Sequence, residues 1–168
     1  MNPPPLLDPA AALALWNDSK SPLWNGWHEA WLDDEDAFKR VPLGSAGAYI
    51  LGLGLGDKRS KALKRVCGTD PFGVLDIGES NRLRARLRRL GRCINGEGVH
   101  GHMAGWRYRY LNFQERLNGR LYLSWIIGED SYAMEARLLR TYLSAFGELP
   151  PLNYKFNWSQ GEGPNAVA

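Results

Sequence analysis

The run VLDI at residues 74–77 passes within a few residues into RLRARLRRLGR at 82–92, and no other stretch limits the fold as much. Leu83, Leu87 and Leu90 fall at i, i+4 and i+7, which a helix brings onto one face. Six arginines between 82 and 92 prevent that helix from being buried all round. A short apolar strand therefore runs through a small turn, DIGES, into a helix lying on the core by its leucines. Arg82, Arg86 and Arg89 make a second stripe beside the leucines. At about 100° per residue, Arg86 lies roughly 60° from Leu83, at the seam between core and solvent. Arg84 and Arg88 belong further round, in water. A guanidinium at the seam is held by packing, and its fork of donors matches phosphate oxygens.

The rest of the chain supplies the partners. GAYILGLGL at 47–55 reads as a buried strand, and RLYLSWII at 120–127 as another. Gly52, Gly54 and Gly56 lie in the first of these strands with no Lys-Ser/Thr behind them, so they are not a phosphate loop. A basic loop or short helix fills 57–70, and the second strand in chain order covers 72–77. Helices are expected from about 80 to 92, from 103 or 105 to 117, and from about 132 to 146. Ser131 is the expected N-cap of the last one. The class is α+β: a small three-stranded sheet, mixed or antiparallel, flanked by helices. At 168 residues the chain suits one such body. It divides into an acidic, Trp-rich extension at 1–45, the main domain at 46–156 and a flexible tail at 157–168. In the extension, Trp24, Trp27 and Trp31 are spaced i, i+3, i+7, which puts three indoles on one helical face that packs against the body.

Charge is distributed unevenly. The acids Asp8, Asp18, Glu29, Asp33, Asp34, Glu35 and Asp36 crowd residues 1–37 against a single base, Lys20. The segment 57–109 holds most of the basic residues, which points to a polyanion as partner. The first residues place no base ahead of an apolar core, and no apolar run reaches membrane length. Cys67 and Cys93 fit no metal spacing and are expected as reduced thiols. A cytoplasmic protein without a membrane partner is expected.

One residue on the last helix is out of place. Leu138, Leu139, Tyr142, Leu143 and Phe146 form its apolar stripe, and Glu135 falls in the middle of that stripe. A carboxylate there is paired with a buried arginine, binds a metal, or sits on a turn that fans out to solvent.

Tyr49 in GAYI, Gly78 in DIG, Arg86 eight residues beyond Gly78, Glu135 in YAMEARLL and Asn153 in LPPLN occur in that order on those elements. Over residues 47–154 this resembles the GIY-YIG nuclease domain. The resemblance implies a divalent-metal-dependent endonuclease that hydrolyses DNA phosphodiester bonds, RNA remaining an alternative substrate. Glu135 would hold Mg²⁺ or Mn²⁺, and Arg86 would neutralise charge on the transition state. Tyr49, with Asp76, would position or deprotonate the attacking water, and Asn153 would close the edge of the site. Lys58, Arg59, Lys61, Lys64, Arg65, Arg82 and Arg89 would track the backbone, with His102 as a base or substrate contact. Asp76 stands where the family has the second tyrosine, and Leu90 where it often has a histidine or tyrosine. An aspartate with the usual pKa of about 3.9 is ionised near neutrality. It orients or deprotonates water, adds a metal ligand, or abolishes activity by repelling phosphate. The last case makes the domain an inactive nucleic-acid-binding or protein-interaction module. A homodimer or protein contact through residues 1–45 fits either outcome.

Overall fold

The computed structural model describes residues 6–34, 36–56, 60–97 and 101–154, so Lys58 and Arg59 of the expected basic track lie outside it. In chain order the elements are helix α1 (Pro9–Asn17), strand β1 (His28–Trp31), a 3-10 turn (Ala37–Arg40) and strand β2 (Gly47–Gly54). Then come β3 (Leu63–Arg65), β4 (Gly68–Asp70), β5 (Val74–Ser80) and the arginine helix α2 (Leu83–Ile94). Helices α3 (Met103–Tyr110) and α4 (Phe113–Leu117), strand β6 (Arg120–Ile127) and helix α5 (Ser131–Phe146) complete the chain.

The class is α+β. The main sheet is antiparallel with order β1-β6-β2-β5, and β3 and β4 pair separately as a hairpin. Strand β2 is central and buried along its whole length, because helices cover both faces of the sheet. Tyr49, Leu51 and Leu53 point one way and share a core with Leu83, Leu87 and Leu90 of α2. Ala48 and Ile50 point the other way, into a core with Trp16 of α1 and Leu138, Leu139, Tyr142 and Phe146 of α5. The leucine stripe read from the sequence is thus the buried face of α2.

Four strands replace the expected three. The addition, β1, comes from the Trp-rich extension and pairs with β6 from His28↔Trp125 to Trp31↔Tyr122. The expected indole face is not helical. Gly26 at φ +79° breaks the run in a conformation that favours glycine. Trp24 and Trp27 sit in the irregular segment before β1, donating their indole N–H groups to the carbonyls of Trp16 and Leu23 (both 3.0 Å), and Trp31 lies in β1. The extension is built into the core through Trp16, which is fully buried. Its acids find local partners: Asp33 takes the Arg120 guanidinium (2.6 Å), Asp34 takes Arg40 (2.7 Å) and Asp8 caps α1.

Other boundaries shift for physical reasons. DIGES is not a turn but the end of β5, and α2 begins at Leu83 after Ser80 Oγ accepts from the Arg82 N–H (3.0 Å). The expected helix to residue 117 is broken by Asn112 at φ 53°, a left-handed conformation asparagine tolerates. The N-cap of α5 is Asp130, which accepts from Ala133 N–H (3.0 Å), while Ser131 Oγ donates to Glu79 (2.7 Å). Arg84 is half-buried rather than in water. Neither Cys67 nor Cys93 is bonded to another cysteine. Among the described residues no helix is long and apolar enough to cross a membrane.

Candidate active site

Strand β5 is an edge strand, and its unpaired edge needs hydrogen-bond partners. The segment after α5 supplies them. Gly147 at φ +72° ends the helix, and Leu152 N–H donates to the Leu75 carbonyl (2.8 Å). The Asn153 side chain then acts as a strand would: its Oδ1 accepts from Ile77 N–H (2.9 Å) and its Nδ2 donates to the Ile77 carbonyl (2.7 Å). A cleft of about 260 Å³ opens beside this edge, where the two faces of the sheet can contribute side chains together. Tyr49, Asp76, Arg86, His102, Glu135 and Asn153 all line it. Six separate parts of the fold thus converge on one volume.

At its floor, Tyr49 is fully buried and stands opposite Gly78 in the β2–β5 ladder. A Cβ on Gly78 would collide with the Tyr49 ring, so only glycine lets the phenol lie across β5. The hydroxyl donates to Asp76 Oδ2 at 2.9 Å and lies 3.0 Å from His102 Nε2. With Asp76 ionised, the Tyr49 hydroxyl donates its hydrogen bond to the carboxylate and His102 must donate from Nε2 to the phenol oxygen. With Asp76 protonated, the carboxyl can donate to the phenol and the phenol to Nε2. The two states of this three-residue relay differ by one proton taken up from solvent at Asp76 and by the His102 tautomer, which carries its proton on Nε2 in the first and on Nδ1 in the second.

Burial sets the protonation of this relay. It raises the Asp76 pKa to about 7 against the opposing effects of the Tyr49 hydrogen bond and the Arg86 and Arg107 charges. The ordinary ionised carboxylate expected from sequence is therefore not what the fold produces. Burial also lifts the Tyr49 phenol well above its usual value, and the Asp76 charge adds to that, so the hydroxyl keeps its proton at neutrality. His102 is lowered to about 3, by burial first and then by the Arg86 and Arg89 charges, and is neutral. Only 3% exposed, His102 cannot follow a DNA backbone; it belongs to the relay.

Arg86 borders both the cleft and a second, shallower depression lined by Glu79, Arg82 and Arg89. Its Nε is buried and has no hydrogen-bond partner among the described residues. Glu135 lies in the first turns of α5, is 6% exposed, and faces the cleft.

The expected basic track divides. Arg82 and Arg89 adjoin the cleft. Arg65 does not serve a surface: its guanidinium donates to the Val74 carbonyl (2.6 Å), lies 3.7 Å from buried Asp70 and stacks over Tyr142. Lys61 donates to the carbonyls of Leu117 and Asn118 at the end of α4. Lys64 is exposed on the β3–β4 hairpin, which meets α5 at Phe146. At 1.5 Å per residue that is about 16 Å along the helix from Glu135. Two residues of the site carried no sequence signal. Arg107, whose charge acts on Asp76, looked like any exposed arginine, and Tyr154 lies just past the recognised closure. The buried Asp70 was equally invisible. It accepts from the Trp16 indole (3.3 Å), from Phe72 and Val74 N–H (3.0 and 2.7 Å) and from Tyr142 (3.2 Å).

Compared with models of protein families, with curated proteins and with solved structures, the chain matches none.

Proposed function

We propose that this chain is a divalent-metal-dependent endonuclease that hydrolyses DNA phosphodiester bonds, a divergent relative of the GIY-YIG nucleases with aspartate in place of their second tyrosine. The observation that carries this reading is the convergence of Tyr49, Asp76, Arg86, Glu135 and Asn153 on one cleft. They lie up to about a hundred residues apart in the chain and were picked out by motif alone.

The chemistry of the cleft supports it. A base is most effective when its pKa lies near the working pH, and Asp76 meets that condition. Asp76 takes the proton of the attacking water, while Tyr49, which stays protonated, fixes the carboxylate and links it to His102. Arg86 lines the cleft and sets its guanidinium charge beside the charge that grows on the phosphate. Asn153 holds the β5 edge in register, which keeps Asp76 in place.

Among the described residues no three His, Cys, Asp or Glu side chains cluster as a closed metal site. Magnesium does not need one, since it binds through one or two carboxylates, waters and the substrate's own phosphate oxygens. The buried Glu135 carboxylate fits that pattern and would hold Mg²⁺ or Mn²⁺. When bound, the ion supplies Lewis-acid polarisation of the phosphate and stabilises the departing oxygen.

The experiment uses a small diester, which removes any dependence on DNA sequence. Bis-(p-nitrophenyl) phosphate is incubated with wild type and Glu135→Ala in Mg²⁺, Mn²⁺ or EDTA. Metal-dependent release of nitrophenolate by wild type alone is the expected result. Equal release in EDTA, or by Glu135→Ala, contradicts it. Release by neither protein favours the binding module with Asp76 as the cause.

A further inference from the structure

Helix α3 begins inside the cleft and leaves it. His102 and Met103 line the cavity, and the exposed side of the helix runs outward from there. On that side Met103, Trp106, Arg107 and Tyr110 fall within about 100° of one another at helical spacing. Ala104, Gly105 and Tyr108 form the opposite, buried side. Two large rings are thus left in water: Trp106 is 41% exposed and Tyr110 is 74% exposed. They lie nearly parallel, 14° apart with centroids 4.8 Å apart, which makes them one stacked pair that a base can extend. Arg107 sits between them on the helix and reaches back over the ring of Tyr154 (6.0 Å), a further exposed aromatic lining the cleft.

The surroundings of the stripe are cationic. No acid occurs in α3, and Arg89 of α2 packs against Gly101 just before it. Flat rings interleaved with arginines and joined to a phosphate-sized cleft have the chemistry of a surface that stacks unpaired bases and neutralises the backbone. From Met103 to Tyr110 the helix rises about 10 Å, the length of a stack of two or three bases. In a duplex the base faces are already covered by their neighbours, so only an unpaired segment can use these rings.

We propose that the Met103–Trp106–Arg107–Tyr110 stripe is a base-stacking platform for single-stranded DNA leading into the cleft, so that the preferred substrate carries an unpaired segment beside the bond cut. This rests on the reading of the cleft as a DNA-cleaving site, but the platform can be tested separately.

Binding is measured by fluorescence polarisation in EDTA, with a labelled oligothymidine and a labelled duplex of the same length. The proteins are wild type, Trp106→Ala, Tyr110→Ala and Trp106→Phe. Both aromatics are surface residues, and matching thermal melts establish that the variants fold. Wild type should bind the single strand more tightly than the duplex. Each alanine variant should lose between about fivefold and a hundredfold of single-strand affinity, with duplex affinity unchanged. Trp106→Phe should recover most of the loss. Unchanged single-strand binding in both alanine variants overturns the proposal, as does an equal loss for strand and duplex. Loss of a dimer on Trp106→Ala with oligonucleotide binding intact also overturns it, and assigns the stripe to a second copy of the chain. A ring-dependent strand preference without diester hydrolysis upholds the platform and removes the nuclease reading. Hydrolysis with dispensable rings removes the platform alone.

Discussion

At Asp76, burial favours the protonated form while a phenol and two arginines favour the charged one, and burial wins. The sign of the stability effect follows. The folded chain retains a proton up to about pH 7 that the unfolded chain releases near pH 4, so Asp76 costs the fold stability as pH rises through that window. Asp76→Asn removes the charge but keeps the shape. It should stabilise the protein above pH 7 by on the order of 1–4 kcal/mol, with the advantage fading below about pH 4. His102 acts in the opposite sense. Its stability contribution is present above its usual pKa and is lost as pH falls toward 3, so the variant, not the wild-type curve, isolates Asp76. Urea unfolding of both proteins across that range measures the difference. In catalysis the wild-type rate should climb with an apparent pKa near 7, and Asp76→Asn should lose that limb and at least about a hundredfold in rate.

Gly78 allows a separate check on the relay. Gly78→Ala adds one methyl where the Tyr49 ring lies. Overpacking of this kind costs about 1–3 kcal/mol and should displace the phenol from Asp76. The expected result is a modest loss in thermal stability with a disproportionate loss of hydrolysis.

Among the elements, those with a clear period were legible in the sequence. The leucines of α2 marked their element because it buries a regular face, and the continuous apolar run of β6 marked a strand buried on both faces. Strand β1 was hidden, being four residues at a sheet edge whose one tryptophan, Trp31, falls at helical spacing from Trp24 and Trp27 ahead of the strand. The candidate residues Tyr49, Asp76, Arg86, Glu135 and Asn153 were legible as motifs. Their electrostatics were not, because the Asp76 shift depends on burial that only tertiary packing creates. His102 enters the relay because α3 packs closely on α2, where a Cβ on Gly105 would meet Cys93 at 2.8 Å. Asp70 shows the same limit, since its burial depends on elements far apart in sequence: α1, β5 and α5 meet on one carboxylate. Asp70→Ala would leave the Arg65 guanidinium buried without that charge. It should cost about 3–5 kcal/mol in urea unfolding while leaving the cleft's own hydrogen bonds intact.

Across the whole molecule, the charge asymmetry of the sequence becomes a matter of position. Asp33 and Asp34 of the extension are paired with Arg120 and Arg40, and Arg65 and Lys61 are held by internal bonds, which leaves Arg82, Arg86 and Arg89 around the cleft, with Arg107 beside it donating to the Pro151 carbonyl (3.2 Å). Four phosphate contacts imply that the logarithm of DNA affinity falls against that of salt concentration with a slope of roughly −3 to −4. Arg89→Ala should reduce the slope by about 1, and Lys64→Ala, at the far end of α5, should leave it unchanged. Polarisation titrations over a salt series measure both.

The central claim, a metal-dependent cut made in this cleft, is tested most directly by adding wild type, Glu135→Gln and Arg86→Ala to a plasmid carrying a single-stranded gap. Each reaction is run with Mg²⁺, Mn²⁺ or EDTA beside a binding titration. Cutting by wild type that needs the metal, and falls about a hundredfold or more in both variants while binding persists, is the expected result. Cutting that survives EDTA, or is equal in all three proteins, would contradict the assignment of the cleft.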